Sequence, residues 1–421
     1  MTLASNIRQR CRASLLLLLA GLLPGAWAVP MPAHEGMDMP GMHMPKELPL
    51  GASAAFDAHG RLWLVDAANG HVRLRHSDDL GKTFSAPMAV NAVAEPIYAE
   101  GENRPKLAFG PHGEIYVSWS QPRARPWTGF VRFARSLDHG AHFSAPLTVH
   151  HDRAEITHRF DSLAVDGSGR VVLAWIDKRD QVAATAHQQP YLGAAVYYSW
   201  SDDRGAHFVP ERKLIDQSCE CCRIALARTP RGEVAAFFRS IYGDNIRDHA
   251  FAVLHTDGQT SRAERATFSH WQIAGCPHHG PGLAIDSDGT RHAVWYEART
   301  RPTVWYGQLD PGQPPRHTLA IAGSGASHAD LAVHGDTVWI AWNQMSASGM
   351  ALMLRESTDR GLHFGATREL ARGPAAVGSP QVLLRDGRAF VAWNTADGFR
   401  LLAADAPATN GAPQAAATAR P

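Results

Sequence analysis

Five cysteines occur in the 421 residues, and three of them fall within Ser218-Cys219-Glu220-Cys221-Cys222-Arg223. Another, Cys276, stands in Gly275-Cys276-Pro277-His278-His279-Gly280. Thiols this dense, answered by a distant Cys beside two His, allow three kinds of chemistry. Oxidised, the four make an even set for two disulfides, with a strained vicinal bridge between Cys221 and Cys222 as a variant. Deprotonated, Cys219, Cys221, Cys222 and Cys276 join an imidazole in a soft-metal site for copper(I) or zinc. Left reduced and metal-free, they are a redox dithiol. A mixed case has one disulfide beside a His-rich metal site. His278 and His279 are neighbours in an extended loop, so their side chains should diverge and only one should bind.

A second soft-donor stretch lies near the N-terminus. Residues 29–47 hold five of the ten methionines, among them Met37, Met39, Met42 and Met44, together with His34 and His43. Several Pro and no apolar periodicity make this a flexible tail in expectation. Thioether and imidazole donors suit copper, so the tail tips the choice of metal from zinc to copper. Tracts of this Met-x-Gly-Met-x-Met kind resemble those of exported copper-handling proteins. Ahead of the tail, Arg8, Arg10 and Arg12 precede the mostly apolar Leu15 to Leu23 and the small-x-small site Ala26-Trp27-Ala28. Residues 1–28 read as a secretory signal cut before Val29, which takes Cys11 away with it. The run is short for a membrane span. The expected location is the bacterial periplasm, where disulfides can form.

The rest of the chain must position these groups. From Ala52 a unit recurs: a short apolar strand, a Gly-containing turn, and a second strand that usually ends in an aromatic. Leu107 to Trp119 and Leu163 to Trp175 are two copies, and others end at Phe238, Trp295, Trp342 and Trp393. With a first copy ending at Asp66 there are seven, spaced by roughly 47 to 63 residues. Alternating apolar and polar residues broken at Gly or Asp are hairpin grammar. A strand repeat of this period predicts an all-β propeller over 48–404. Seven blades are expected, with six as the alternative. The last copy has three strands, and Leu48 to Leu50 are available as its outer fourth. Residues 405–421, rich in Ala, Pro and Thr, should be a disordered tail.

Four segments fit Ser-x-Asp-x-Gly-x-x-Phe and follow a third strand: Ser77 to Phe84, Ser136 to Phe143, Ser201 to Phe208 and Ser357 to Phe364. Ser and Asp can bond the backbone of a turn, Gly can take a positive φ, and Phe can plug the gap between sheets. His255-Thr256-Asp257-Gly258 looks like a decayed copy. These segments resemble the Asp boxes, or BNR repeats, of the sialidase-like propeller superfamily, and the resemblance covers Ala52 to about Leu402. It implies the fold and leaves the chemistry open. Sialidases clamp a carboxylate with three Arg and use a Tyr–Glu nucleophilic pair with an Asp acid. Their first Arg lies in a Phe/Tyr-Arg-Ile/Leu-Pro segment before the first Asp box, and no such segment precedes Ser77. Arg104, Arg159, Arg223, Arg239 and Arg247 remain as ligand-binding candidates, since bidentate Arg suits carboxylates.

Repeat phase places the cysteines. In a propeller the first strand of each blade lines the channel, and the loops leading into first strands gather at one mouth. The Cys219–Cys222 segment leads into Ile224 to Leu226, and Cys276-Pro277-His278-His279 leads into Leu283 to Ile285, the next blade. Both should meet at the same mouth, with His328 one blade further on and His158 one blade before. Glu102-Asn103-Arg104 and His158-Arg159 hold the equivalent loop on other blades. Arg247 and Asp248 follow a second strand and are expected as partners behind the site or as a surface ion pair. With 41 basic and 40 acidic residues, the net charge of +1 makes no electrostatic case for nucleic acid or an anionic membrane. The reading is an exported monomer that binds a soft metal, copper ahead of zinc. A glycoside hydrolase acting on a glycan and a disulfide-stapled scaffold for a periplasmic partner protein are the alternatives.

Overall fold

The computed structural model describes residues 50–406. The expected signal at residues 1–28, the Met/His tail with Met37, Met39, Met42, His43 and Met44, and residues 407–421 lie outside them. The described residues form a seven-bladed propeller of antiparallel sheets, six of four strands and one of three. Among the described residues a single α-helix, Arg179–Ala186, is inserted in blade 3. The first strands are Ser53–Phe56, Lys106–Phe109, His158–Val165, Ala225–Arg228, Gly282–Ile285, Ala326–His334 and Gln381–Arg385, for blades 1 to 7. Each neighbours the next around the channel, and Gln381–Arg385 returns to Ser53–Phe56. No helix among the described residues is long and apolar enough to cross a membrane.

The core lies between blades, as alternating side chains dictate. Trp119, Trp175, Trp342 and Trp393, the aromatics that end second strands, are fully buried. Each indole N–H finds an acceptor. Trp175 donates to Asp177 (2.9 Å), Trp342 to Gln344 (3.3 Å), Trp119 to Glu95 (2.7 Å) and Trp393 to Asn343 (2.9 Å). The acceptor is often two residues on, on the same face of the strand, so one dipeptide step supplies both the bulk and the bond that bulk requires.

The four Ser-x-Asp-x-Gly-x-x-Phe turns share one geometry. Ser201 Oγ donates to Asp203 (2.7 Å) and accepts from Gly205 N (2.8 Å), while Asp203 accepts from His207 N (2.9 Å). The same bonds recur at Ser77, Ser136 and Ser357. Each turn then touches the preceding blade. Phe208 meets Phe133 edge-on at 5.0 Å, Phe364 meets Tyr306 at 4.9 Å, and Phe84 meets Phe399 at 5.7 Å. Gly361 has φ +82°, and a Cβ there would overlap the Tyr306 hydroxyl. Only glycine fits that turn against that neighbour.

Of the segment expected as the fourth strand of blade 7, Leu48 and Pro49 lie outside the described residues. Leu50 is in no such strand, and blade 7 has three strands among the described residues. Leu50 instead leads into blade 1 at the mouth, where its carbonyl accepts from Asn394 Nδ2 (3.0 Å) and Gly51 N donates to Ala99 O (2.7 Å). The hydrogen-bonding needs of this backbone are met there, and the outer edge of blade 7 has no claim on it. The ring closes through Ala54 N to Gln381 Oε1 (2.9 Å) and the edge-on pair Phe56–Phe390 at 5.5 Å.

Candidate metal centre

The Cys219–Cys222 segment is the bridge from the outer strand of blade 3, Arg212–Ser218, to the first strand of blade 4. It is pinned at both ends. Cys219 N donates to Arg239 O (3.1 Å), and Ser162 Oγ to Ile224 O (2.7 Å). Glu220 turns outward to Lys178 (2.8 Å). The three cysteines turn inward, among Phe160, Ala194, Val196, Ile224 and Phe238. Cys219, Cys221 and Cys222 are 0%, 8% and 2% exposed.

Their sulfurs converge. Cys219 Sγ lies 3.1 Å from Cys222 Sγ and 3.9 Å from Cys221 Sγ, and all three lie within 4.8 Å of one another. All four cysteines are free thiols, with no pair at the ~2.05 Å of a disulfide. Cys276, exposed on the next blade's leading loop, brings its thiol up to Cys219 and Cys221. Among the metal-free thiols, the one shifted toward ionisation is Cys219. Hydrogen bonds from Cys221, Cys222 and Cys276 push that thiol's pKa well down, with Arg239 helping. The donors are pushed up in turn, Cys276 to about 12. Three sulfurs around one point in an apolar wall can receive a thiophilic ion, releasing the remaining protons as it binds.

No imidazole among the described residues joins the three sulfurs within that distance. The histidines form their own group. His278 is exposed, while His279 turns in against Tyr296, ring centroids 4.1 Å apart. His279 also lies 4.9 Å from the ring of His328. Burial, then His328, lowers the pKa of His279 to about 4, so its ring is neutral. His328 sits at a bulge where its strand slips register between Ser327 and Asp330, and its φ is +51°. Phe160 holds the matching place in blade 3, with φ +55°. An extra residue at such a point re-aims a side chain.

Glu102, noted in the sequence only as part of a leading loop, ties these segments together. One oxygen accepts from Gly280 N (2.8 Å) and Arg223 N (3.4 Å), and the other pairs with His328 Nδ1 (3.2 Å). Burial works against its charge, but Arg223, His328 and the Gly280 N–H outweigh it and hold the carboxyl well below the usual range. A Cβ on Gly280 would fall 2.5 Å from Glu102 Oε2, so the glycine lets the cysteine-histidine loop close over the acid.

The arginines do not make an open clamp. Arg104 donates to Ser379 O (2.8 Å), and Arg223 donates to Pro281 O (2.8 Å) and Ala329 O (2.7 Å). Arg223 also faces Glu102 and Asp330 at 3.9 and 3.8 Å. Burial and the neighbouring Arg223 lower the Arg104 pKa to about 10. Burial foremost brings the adjacent Lys106 down to about 8, against the pull of Asp161. Arg159 stands apart over the Tyr98 ring at 4.1 Å. Arg239 serves backbone carbonyls of Arg247, His279 and Tyr296. Arg247 and Asp248 are neither an ion pair nor at the surface. Arg247 bonds Ile273 O and Asn245, whereas Asp248 is fully buried and pairs with Arg265 from the outer strand of its own blade. His158 is likewise no part of the nest: it is buried against Asp177 (2.8 Å) and stacked on His150 at 3.9 Å.

No family model matches this chain, and no curated protein matches it. Solved structures do. The chain is similar to an ulvan lyase from a new family of polysaccharide lyases, at 9% identity and a TM-score of 0.54, over 84% of this chain and 92% of that one. It is similar to a Hadza microbial sialidase at 12% identity and a TM-score of 0.48, over 80% and 74%. A Dyadobacter fermentans protein of unknown function follows at 14% and 0.46, over 72% and 94%. The match to the ulvan lyase, at 9% identity and a TM-score of 0.54, carries the propeller fold and none of the chemistry built on it.

Proposed function

We propose that this is an exported metal-binding propeller that holds one soft ion, copper(I) in preference to zinc, at the mouth of its channel. Cys219, Cys221 and Cys222 are its ligands, and Cys276 is the donor that closes over them. The observation that carries this reading is the convergence of three buried sulfurs within 4.8 Å in an apolar wall. A buried thiol of the ordinary kind packs as a small hydrophobe and has no reason to meet two others. Thiolates select copper(I) or zinc, and the Met/His tail of residues 29–47 favours copper. The setting would be copper handling or tolerance in the periplasm.

Protein isolated from cells given copper should carry about one copper per chain at the nest, measured by metal analysis beside a count of free thiols. Cys222→Ser should remove most of it, because trigonal thiolate binding needs all three sulfurs. A metal-free protein lacking two titratable thiols would instead establish a disulfide.

A partner docking over the mouth is the second reading. Trp127, Val182, Leu192 and Met345 are 64%, 50%, 39% and 65% exposed, and all lie on or beside segments that join second to third strands at that face. These four suit a protein that delivers or collects the ion, while Leu137 and Leu362 are exposed in turns at the opposite face. Glycan hydrolysis has weaker support, since Arg104 and Arg223 already spend their guanidinium groups on Glu102, Asp330 and backbone carbonyls. Release of a fluorogenic sialic acid, abolished by Arg159→Ala, would reverse that ranking.

A further inference from the structure

We infer that His279 and His328 form a second metal site, separate from the sulfur nest and suited to a borderline divalent cation such as copper(II). The two rings come from neighbouring blades and stand 4.9 Å apart, centre to centre. Imidazole nitrogens bind such ions at ~2.0–2.1 Å, so two rings at this spacing can share one ion after small rotations. His279 Nδ1 is buried and has no hydrogen-bond partner among the described residues. A buried polar nitrogen left without a partner is costly, and an ion would relieve it.

His328 is prepared in a different way. Its Nδ1 is taken by Glu102, itself fixed by the backbone of Gly280 and Arg223, which leaves Nε2 as the ligand atom. A carboxylate behind an imidazole orients the ring and raises its basicity. The bulge and the positive φ of His328 show that the backbone is bent to aim this side chain. Two protein ligands leave open positions for water or an incoming group, unlike the enclosed sulfur nest.

The other histidine pair shows what is special here. His150 and His158 stack more closely, at 3.9 Å, yet both are fully buried and each Nδ1 is occupied, by Asp152 O and by Asp177. His150 Nε2 accepts from Val131 N as well. His158 Nε2 is, like His279 Nδ1, buried without a partner among the described residues, but that pair is sealed in the core with both rings fully buried. His279 and His328 are half-buried at an open mouth.

This histidine site goes beyond the thiolate reading and does not depend on it. The test uses the full chain carrying His34→Ala and His43→Ala, so that tail imidazoles do not compete. Thiols are first filled with silver(I), which is soft and diamagnetic. Copper(II) sulfate is then added, and the bound ion is followed by electron paramagnetic resonance. We expect one further equivalent of copper(II) with nitrogen coupling from imidazole. His279→Ala and His328→Ala should each weaken it at least tenfold, and His278→Ala should leave it unchanged. Glu102→Gln should weaken it by ~10–100-fold while keeping the same nitrogen signature, as a positioning residue would. Where an alanine variant fails to fold, His279→Phe keeps a ring against Tyr296 and removes the same ligand nitrogen. Absence of bound copper(II), or a signal indifferent to both histidine changes, would overturn the proposal. The two readings fail separately: silver that does not protect the thiols counts against the sulfur nest, whereas the copper(II) signal alone decides the histidine site.

Discussion

At the scale of single residues, this propeller depends on ionisable groups whose surroundings have settled their charge. Glu102 is fully buried and stays ionised because four backbone and side-chain groups converge on it. His150 is the opposite case. Burial foremost, then His158, lowers its pKa to about 3, and its Nε2 must stay unprotonated to accept from Val131 N. The unfolded chain binds that proton near pH 6.5, the ordinary histidine value, and the folded chain does not. Folding stability is therefore complete above about pH 6.5 and falls as the pH drops below it, by up to about 1.4 kcal/mol per unit for this one group. Urea unfolding followed between about pH 6.5 and 4.5, above the carboxylate range, should show this slope. In His150→Gln the slope should be shallower by about one proton. His249, fully buried and also lowered by burial and by Arg239, leaves a residual slope behind.

At the scale of elements, the unit is a hairpin turn that also serves as a spacer to the blade before it. Positive φ alone is a modest cost for a residue with a side chain, about 1–2 kcal/mol. Position decides the rest. Gly258 has φ +95° and nothing within 4 Å of where a Cβ would stand, whereas Gly361 has φ +82° and the Tyr306 hydroxyl in the way. Tyr306 cannot yield cheaply, since it is fully buried and its hydroxyl bonds His292 Nδ1 at 2.7 Å. Gly361→Ala should therefore cost ~3 kcal/mol or more in denaturant unfolding, and Gly258→Ala about 1 kcal/mol. Equal losses at the two positions would show that backbone strain, not the neighbouring blade, sets the requirement. Either result bears on why four of these turns keep their pattern and the blade 4 turn at His255-Thr256-Asp257-Gly258 does not.

At the scale of the molecule, the fold is legible in the sequence because a propeller is written locally. Each blade repeats a strand, a Gly turn and an aromatic strand end, and repeat phase alone tells which loops share a mouth. Phase is enough to bring Cys276 to Cys219 and Cys221, and His279 to the blade beside His328. Partners fixed by three-dimensional aim are not legible. His328 meets Glu102 across 226 residues, and the bulge that turns it has no sequence mark. Asp248 finds Arg265 on the outer strand while Arg247, beside it in the chain, faces away. The closure of the ring is hidden for a related reason, because an available segment is not a needed one. Blades 7 and 1 meet through Phe390 and Phe56, Asn394 and Leu50, Gln381 and Ala54. Phe390→Ala should cost about 3–5 kcal/mol. Amide exchange should then rise in blades 1 and 7 well before blades 3 and 4, and uniform loosening would contradict this view of the seam. Six of the seven boundaries between blades are crossed by a loop, and this one, within the described residues, by none. The molecule is in that respect a split washer and not a hoop. The bore of a split washer is set by how firmly its two cut faces press together, so the bulk of a single side chain at the cut can widen or narrow the opening while every strand keeps its partner.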